Sequence, residues 1–371
     1  MAVDNPKIRP VIFVLPSLSP GGAERIVVNV ANSLSDNNKI YIAEIRKGGN
    51  LSTYVQDNVV KLNLTNRFVW LFRILWYVYK LKPCCLVATN FDINASLLAI
   101  KWLLPKSCAL VLREPVSIHA TRSESKIPII RYLVFKYLYR YTNTLVLLTN
   151  EMKNEFVQLC PEIAPKIKVV PNGVNLSRIK NTQNVIEKSE YREYLVTVCR
   201  LEYQKGLDVL ISAFAKVKEK FPGYGLVVIG EGSQRANLCE QIKTLNLTNS
   251  VKLVGFVDNP SSLVKGASLF VLSSRYEGMS NAMLEALCLG VPVVAVKKHT
   301  AAGEILRENF SGFLVDECSI RTLEDALLQA LGRLETINRE KIALWARNEF
   351  SLSKMVDNYR DVFREYCAIQ G

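Results

Sequence analysis

Two carboxylates, Glu277 and Glu285, flank a polar turn and a predicted helix. The apolar run at residues 268–272 is typical of a buried strand, and the helix is expected from Asn281 with Ser280 as its N-cap. Residues eight positions apart on a helix point in directions roughly 80° apart, and Glu277 precedes the helix. The two carboxylates are therefore expected to contact different parts of one ligand. Two ordinary helix carboxylates are the alternative from spacing alone.

Strand–turn–helix units with glycine or basic residues in the turn recur along the chain. Gly21 and Gly22 follow the apolar run at residues 11–15, and two glycines let the backbone approach a ligand closely. Arg200 and Lys205 flank the turn after a second apolar run, where both can converge on a diphosphate. Free N–H groups and the positive end of a helix dipole suit a phosphate at such turns. The alternatives are an ordinary glycine turn and two solvated bases.

The chain has 371 residues, enough for two domains with separate cores. Strand and helix patterns alternate, which favours mostly parallel sheets flanked by helices. Ligands of such sheets bind at the carboxyl ends of the strands. Arg113 and Glu114 follow a predicted strand directly and are therefore candidates for a cleft. No apolar run approaches the roughly eighteen residues that span a bilayer.

The formal net charge of +13 favours an anionic partner. The bases are spread along the chain without a nucleic-acid-binding module, so a membrane surface and phosphate-bearing substrates are expected instead. Two aromatic segments with interspersed bases, residues 68–81 and 127–141, have two interpretations. They are helices lying on an anionic leaflet, or core helices whose cationic side chains extend to solvent. Arg73, Tyr77 and Lys80 share one face of the first segment.

Nine cysteines are scattered along the chain without the paired spacing of metal ligands. Several lie in or beside apolar segments, Cys84 and Cys288 among them. We therefore expect buried free thiols in a reducing cytoplasm. A zinc site is not expected, because neither of the two histidines lies near a cysteine pair.

The sequence Glu-Gly-Met-Ser-Asn-Ala-Met-Leu-Glu at residues 277–285 resembles the E-x7-E segment of the family-4 retaining glycosyltransferases of bacterial surface-polysaccharide type. Residues 200–206 resemble their R-x4-K-G element, and residues 21–25 resemble their first glycine loop. The Gly-Glu-Gly at residues 230–232 and the segment 255–258 are similar to the loops that approach the nucleotide. The sequence at residues 171–174 is similar to the end of their first domain.

This resemblance implies the α/β architecture called GT-B, in which two Rossmann-like domains face each other across a cleft for donor and acceptor. The acceptor domain would comprise residues 1–175 and a returning terminal helix at residues 352–371. The nucleotide-sugar donor domain would comprise residues 176–351.

The resemblance also implies roles for individual residues. Glu277 would orient the sugar, and Arg200 and Lys205 would stabilise the departing diphosphate, so these three would be catalytic. The implied donor-binding residues are Gly21, Gly22, Gly230, Phe256, Gly278, Met279, Ser280, Asn281 and Glu285.

The first-domain loop after the fourth strand departs from the pattern of many relatives, which carry a histidine there near the donor sugar. Here the loop reads Arg-Glu-Pro-Val-Ser-Ile-His at residues 113–119. Arg113, Glu114 and His119 are therefore the candidate first-domain cleft residues.

The implied activity is retaining transfer of a hexose or N-acetylhexosamine from a nucleotide-sugar, expected to be a UDP-sugar, to a lipid-linked glycan. No metal or other cofactor is expected, because no Asp-x-Asp in a credible metal setting occurs and basic side chains can replace a divalent ion. The acceptor is expected to be carried on a polyprenyl diphosphate. The enzyme would work peripherally at the cytoplasmic face of the inner membrane. A GT-B epimerase and a non-catalytic nucleotide-sugar-binding subunit are the alternatives.

Overall fold

The computed structural model describes residues 9–19, 21–36, 38–64, 69–119, 127–180 and 193–367. The chain forms two units: unit 1, which is Met1–Gly173 together with Leu352–Gly371, and unit 2, which is Val174–Ser351. The boundary at Gly173 lies two residues before the one expected from the sequence. The predicted polar linker at residues 177–191 falls largely outside the described residues, as does residue 68, where a helix was expected to begin.

The described residues of unit 1 form seven parallel strands, which are β1 (Val11–Leu15), β2 (Ile40–Glu44), β3 (Val60–Asn63), β4 (Cys85–Thr89), β5 (Ala109–Arg113), β6 (Thr144–Leu147) and β7 (Ile167–Val169). Their order in the sheet is β3-β2-β1-β4-β5-β6-β7. Every residue of β1, β4, β5 and β6 is buried, as expected for a parallel sheet covered on both faces. The sequence analysis missed β3, an edge strand whose first two residues are exposed.

The helices of unit 1 before the boundary are α1 (Gly22–Leu34), α2 (Trp70–Leu81), α3 (Phe91–Ala99), α4 (Pro128–Tyr137) and α5 (Asn150–Leu159). α1 forms because apolar residues recur at helical spacing, with Ile26, Val27, Val30 and Leu34 buried in the core. The structure thus confirms the predicted alternation of strands and helices.

The part of unit 2 that the structure describes has six parallel strands, which are β8 (Glu193–Val198), β9 (Tyr224–Ile229), β10 (Val251–Gly255), β11 (Leu269–Leu272), β12 (Val293–Val296) and β13 (Gly312–Val315). Their order is β10-β9-β8-β11-β12-β13. The helices are α6 (Leu176–Lys180), α7 (Leu207–Lys220), α8 (Arg235–Thr244), α9 (Ser261–Gly266), α10 (Asn281–Cys288), α11 (Ala302–Ile305), α12 (Ile320–Gly332) and α13 (Arg339–Glu349).

The strand order of unit 2 reverses between β8 and β11, which are neighbours at the centre of the sheet. The loops that follow these two strands leave the same edge of the sheet side by side. Parallel α/β sheets bind their ligands at such a switch point. The topology therefore brings the segment after β8, residues 199–206, beside the segment after β11, residues 273–280.

The last helix, α14 (Leu352–Arg364), belongs to unit 1. Its buried face joins the core beneath β1, where the Phe13 and Phe363 rings lie 6.1 Å apart. Met355, Val356 and Tyr359 of the same face are also buried. The helix thus supplies part of the hydrophobic core of a unit whose other residues precede it by more than 170 positions.

Cys84 and Cys367 form a disulfide, so the expectation that every cysteine is a free thiol is wrong for this pair. The two residues are 283 positions apart, and only the return of α14 to unit 1 brings them together. Cys85 lies close by, with its Sγ 3.5 Å from that of Cys367. The three sulfur atoms lie within 4.8 Å of one another, but two of them are joined by the disulfide.

No helix among the described residues combines the length and the apolar composition needed to cross a bilayer.

Candidate functional site

An ion pair joins the two loops at the centre of the unit 2 sheet. Lys205 ends a 3-10 turn, and its Nζ donates to Oε1 of Glu277 at 2.6 Å. Both side chains are largely buried, with exposed fractions of 10% and 16%. The next residue, Gly206, has a φ of 61°, and a Cβ there would lie 2.2 Å from the carbonyl oxygen of Ser273. Only glycine therefore allows the loops to approach this closely.

The Glu277 side chain is held at both oxygens. Ser274 Oγ donates to Oε2 at 2.9 Å, while Lys205 occupies Oε1. The backbone N–H of Glu277 donates to the carbonyl of His299 at 2.9 Å. An ammonium group has three N–H donors, and one N–H of Lys205 donates to Glu277. The pair is therefore fixed in place while Lys205 retains capacity for an anionic ligand.

Arg200 lies apart from this pair, exposed at the beginning of the same loop. Its Nη2 donates to Oε1 of Gln204 at 3.3 Å, and Nε2 of Gln204 donates to the carbonyl of Tyr276 at 3.0 Å. Gln204 thus connects Arg200 to the Glu277 loop. The sequence analysis did not single out Gln204, although its place inside the R-x4-K-G element was a usable signal.

The helix that follows Glu277 begins where the sequence predicted. α10 starts at Asn281, and Ser280 caps it by accepting from the backbone N–H of Met283 at 3.4 Å. Gly278, Met279 and Ser280 are buried in the loop before the helix. The positive end of the α10 dipole therefore lies next to the Lys205–Glu277 pair, which suits an anionic ligand.

Glu285 lies in the middle of α10 and approaches Arg178 rather than Glu277. Its Oε1 is 4.0 Å from Nη1 of Arg178, and both side chains are about four-fifths buried. Nη2 of Arg178 donates to the carbonyl of Asp258 and lies 3.7 Å from the Asp258 carboxylate. The sequence analysis missed Arg178, because its contacts lie 80 and 107 positions away and no local pattern marks it.

The loops after β9 and β10 are joined at two glycines. Gly230 has a φ of 140° and donates its N–H to the carbonyl of Gly255 at 2.8 Å. A Cβ on Gly230 would lie 1.9 Å from the carbonyl oxygen of Cys199, so the position requires glycine. Phe256 follows with 58% of its surface exposed. Its ring is available to a planar ligand at the carboxyl edge of the sheet.

In unit 1, the glycine loop lies at the start of α1. Gly21 is the extended N-cap residue and Gly22 is the first residue of the helix. A Cβ on Gly21 would lie 2.1 Å from Oε2 of Glu24, so that carboxylate lies against the loop. The helix start predicted to face a phosphate is therefore already approached by an acidic side chain, which the positive end of the dipole favours.

Arg113 is 2% exposed at the end of β5. Its Nη2 donates to Oδ1 of Asn172 at 2.7 Å, and its Nη1 donates to Oγ1 of Thr89 at 3.3 Å. His119 is exposed six residues later. The structure thus places Arg113 inside unit 1 and His119 on its surface.

Glu114 is 1% exposed. Its Oε1 accepts from Nδ2 of Asn94 at 2.6 Å and from the hydroxyl of Tyr139. Burial raises the pKa of Glu114 to about 7, against the opposing effect of the two hydrogen bonds. Among the described residues, Glu114 is thus a carboxyl group whose pKa is raised by folding into the physiological range.

Comparison with known proteins finds a family model that matches the segment carrying these unit 2 residues. Residues 179–343 match the family described as Glycosyl transferases group 1, and they include Arg200, Lys205, Glu277 and Glu285. This segment of the chain is therefore similar to the group 1 glycosyl transferases.

Related proteins extend the comparison to the rest of the chain. An uncharacterized glycosyltransferase of Methanocaldococcus jannaschii is 31% identical over 262 residues, which are 65% of this chain and 64% of that protein. A relative from Campylobacter jejuni is 24% identical over 89% of this chain and 92% of its own. It is named GalNAc-α-(1→4)-GalNAc-α-(1→3)-diNAcBac-PP-undecaprenol α-1,4-N-acetyl-D-galactosaminyltransferase.

The crystal structure of Anabaena HepE in complex with UDP and glucose matches with a TM-score of 0.80 at 18% identity. The match covers 96% of this chain and all of that one. Each unit has the parallel sheet and flanking helices of a Rossmann-like domain, and the predicted GT-B fold is confirmed.

Proposed function

We propose that the protein is a retaining glycosyltransferase that moves a hexose or N-acetylhexosamine from a UDP-sugar to a lipid-linked glycan in surface-polysaccharide synthesis. The observation that carries the proposal is the contact between Lys205 and Glu277. These residues lie 72 positions apart in the two segments that resemble donor-binding motifs, and the fold joins them directly. The Campylobacter relative, named for an undecaprenol-diphosphate acceptor, supports the acceptor class.

Lys205 and Arg200 would stabilise the negative charge that develops on the departing diphosphate. A fixed cation in a water-poor site does so without reorganising during the reaction. Lys205 is held by Glu277, whereas Arg200 is exposed and would reach a ligand from the mouth of the loop. The start of α10 would add its backbone N–H groups and dipole.

Glu277 would orient the transferred sugar, and Glu285 would bind the ribose. The carboxylate of Glu277 is fixed by Lys205 and Ser274, so its direction is set before the donor arrives. Arg178 approaches Glu285 and would hold it in the same way. The exposed Phe256 ring would pack on the uracil base.

The bond between the anomeric carbon and the diphosphate oxygen breaks, and an acceptor hydroxyl replaces that oxygen on the same face of the sugar. The hydroxyl proton leaves with the diphosphate. Side chains and backbone N–H groups would supply the charge neutralisation that a divalent ion gives elsewhere. The reaction would accordingly run without metal.

Unit 1 would hold the acceptor at the cytoplasmic face of the membrane. α2 and α4 expose large apolar side chains, Phe72 at 76% and Ile129 at 71% among them, alongside basic residues. Such surfaces are typical of proteins that lie on an anionic leaflet. A lipid-linked acceptor would be reached from there without any helix crossing the bilayer.

The test is to incubate the purified full chain with a panel of nucleotide-sugars and a polyprenyl-diphosphate-linked glycan. Mass spectrometry should detect one added sugar from a UDP donor, and NMR of the product should show the anomeric configuration of the donor. The transfer should persist in excess EDTA. Inverted product would overturn retention, and loss under EDTA with recovery in magnesium or manganese would overturn metal independence.

Two other results would overturn the transferase function itself. Release of UDP with a rearranged or free sugar in the absence of acceptor would identify an epimerase or a hydrolase. Tight nucleotide-sugar binding without turnover on any acceptor would identify a binding subunit.

A further inference from the structure

We propose that Arg275 is a positioning residue, which holds the turn carrying Lys205 against the loop carrying Glu277. The inference rests on the proposed function for its effect on catalysis. The contact pattern of Arg275 supports it independently of any ligand. Arg275 lies two residues before Glu277, and its side chain points back to the start of α7.

The first contact is a two-point ion pair with Asp208. Nη1 of Arg275 lies 2.9 Å from Oδ1, and Nη2 lies 2.7 Å from Oδ2. Paired parallel hydrogen bonds of this kind fix orientation as well as distance. Asp208 is in the first turn of α7, immediately after the Lys205 turn. The guanidinium therefore fixes the downstream end of that turn.

Further contacts fix the turn itself. Nη1 of Arg275 donates to the carbonyl of Tyr203 at 2.6 Å, and the guanidinium lies over the Tyr203 ring at 3.9 Å. The backbone N–H of Arg275 donates to the carbonyl of Gln204 at 2.8 Å. Ser273 Oγ donates to the carbonyl of Lys205 at 2.8 Å. Each residue of the 203–205 turn is thus bonded to the 273–275 segment.

The positive charge of Arg275 is paired with a carboxylate of the protein itself. Its exposed fraction is 19%, and the Asp208 carboxylate meets it directly. Hydrogen bonding to Asp208 raises the pKa of Arg275 further above its ordinary value. Arg200 differs, because its guanidinium is exposed and its Nη2 donates to the neutral side chain of Gln204. Arg275 accordingly acts through Lys205 and does not touch the donor.

Two kinds of measurement test this role. Hydrogen–deuterium exchange of the ligand-free protein reports on the turn without substrate, since the N–H groups of Lys205, Gly206 and Glu277 are hydrogen bonded. UDP affinity by calorimetry and kcat and KM for transfer report on the consequence. The variants are Arg275→Ala, Arg275→Lys, Asp208→Asn and the double variant Arg275→Ala with Asp208→Asn. Lys216→Ala, which breaks an exposed ion pair with Glu219 on α7, is the matched control.

Arg275→Ala should speed exchange in peptides covering residues 203–206 and 276–278. It should also lower UDP affinity and kcat about 10- to 100-fold, because the groups that hold the donor would be misplaced. Arg275→Lys should recover part of the loss. Asp208→Asn should act in the same direction, and the double variant should be no worse than Arg275→Ala, because the residues work as one unit. Lys216→Ala should leave every readout unchanged.

Unchanged exchange in Arg275→Ala would overturn the positioning role, as would additive losses in the double variant. If exchange is unchanged while UDP affinity falls, Arg275 contacts the donor directly and the proposal is wrong. If the parent protein neither binds UDP nor transfers sugar, the proposed function fails. The exchange data still decide whether Arg275 positions the turn.

Discussion

Lys205 and Glu277 neutralise each other in a largely buried position, which makes each dependent on its partner. Removing one side chain of such a pair leaves an uncompensated charge near the core. The hydrogen bond from Ser274 to the second oxygen of Glu277 partly offsets that cost on the carboxylate side. Substitution of Lys205 is therefore expected to affect chemistry more than folding.

Arg200→Ala and Lys205→Ala should each lower kcat by two or more orders of magnitude, about 2.7 kcal/mol in the barrier, because each removes a cation from the departing diphosphate. Steady-state transfer and circular dichroism measure activity and folding together. Lys220→Ala, an exposed lysine of α7, is the control and should transfer as the parent does. Near-normal turnover in either variant would remove that residue from the catalytic assignment.

Glu114 makes the stability of unit 1 depend on pH. Burial raises its pKa to about 7 from an ordinary value near 4.5, so the folded protein holds this proton more tightly than the unfolded chain does. The stabilisation is complete below the ordinary carboxyl pKa. It is lost as the pH rises through about 7.

Glu114→Gln keeps a neutral group that can accept from Asn94 and Tyr139, so it should remove this pH dependence. Between pH 5 and 8, the free energy of unfolding of the parent should fall by about 1–3 kcal/mol more than that of the variant. Thermal unfolding at a series of pH values measures this difference. Asp57→Asn, an exposed carboxylate of the same unit, is the control and should follow the parent. Parallel curves for parent and Glu114→Gln would contradict the raised pKa.

The two aromatic helices of unit 1 each have a buried side and an exposed apolar side. α2 buries Trp70, Ile74 and Val78 in the core, while its other face is exposed and aromatic. The apolar side chains exposed on α2 and α4 are Phe72, Trp76, Tyr79, Ile129, Ile130, Leu133 and Tyr137. Neither helix contains an acidic residue, and Lys80 lies 4.4 Å from the Trp76 ring. An apolar face with cations at its border suits the headgroup region of an anionic leaflet.

Changing Arg73, Lys80, Lys136 and Arg140 together to Gln should release the protein from anionic liposomes. Each base near such a surface contributes about 1 kcal/mol and is screened beyond a Debye length. Sedimentation should therefore show binding of the parent that needs anionic lipid and weakens steeply as salt rises.

A matched variant with the same change in charge tests the position of the bases. The control changes four exposed lysines of unit 2 to Gln, namely Lys216, Lys220, Lys243 and Lys265. It should sediment as the parent does. Equal binding of the parent to neutral vesicles would refute the electrostatic part. Equal binding of both quadruple variants would refute the assignment to the bases of α2, of α4 and of the 3-10 turn at Tyr139–Tyr141.

The disulfide joins residues 283 positions apart, from the residue just before β4 to the residue three positions beyond α14. It joins the two parts of unit 1 that unit 2 separates in sequence. A cross-link over so long a loop restricts the unfolded chain strongly, and native disulfides typically contribute about 2–4 kcal/mol.

Thiol titration of the denatured protein, purified without reductant, should count seven free cysteines, and nine after reduction. Reductant should also lower the midpoint of thermal unfolding. The Cys84→Ser, Cys367→Ser double variant should be insensitive to it, because no cross-link remains. Nine reactive thiols before reduction would show that the pair is free, as the sequence analysis expected.

The sequence by itself determined most of the elements and the ends of several of them. Residues 11–15 form a strand because an unbroken apolar run suits a sheet covered on both faces. α10 begins at Asn281 because Ser280 can cap it, and Gly290 follows its end with a φ of 79°. Each of these outcomes depends on residues within a few positions of one another, so it can be predicted from the local sequence.

The tertiary structure decided which distant residues meet. It paired Cys84 with Cys367, brought Arg178 to Glu285, and enclosed Arg113 and Glu114 within unit 1. These contacts follow from the order of strands in a sheet and from the return of α14, and no local pattern encodes either. The same reason explains Arg275, whose partner Asp208 lies 67 positions away and is adjacent only because β8 and β11 are neighbours.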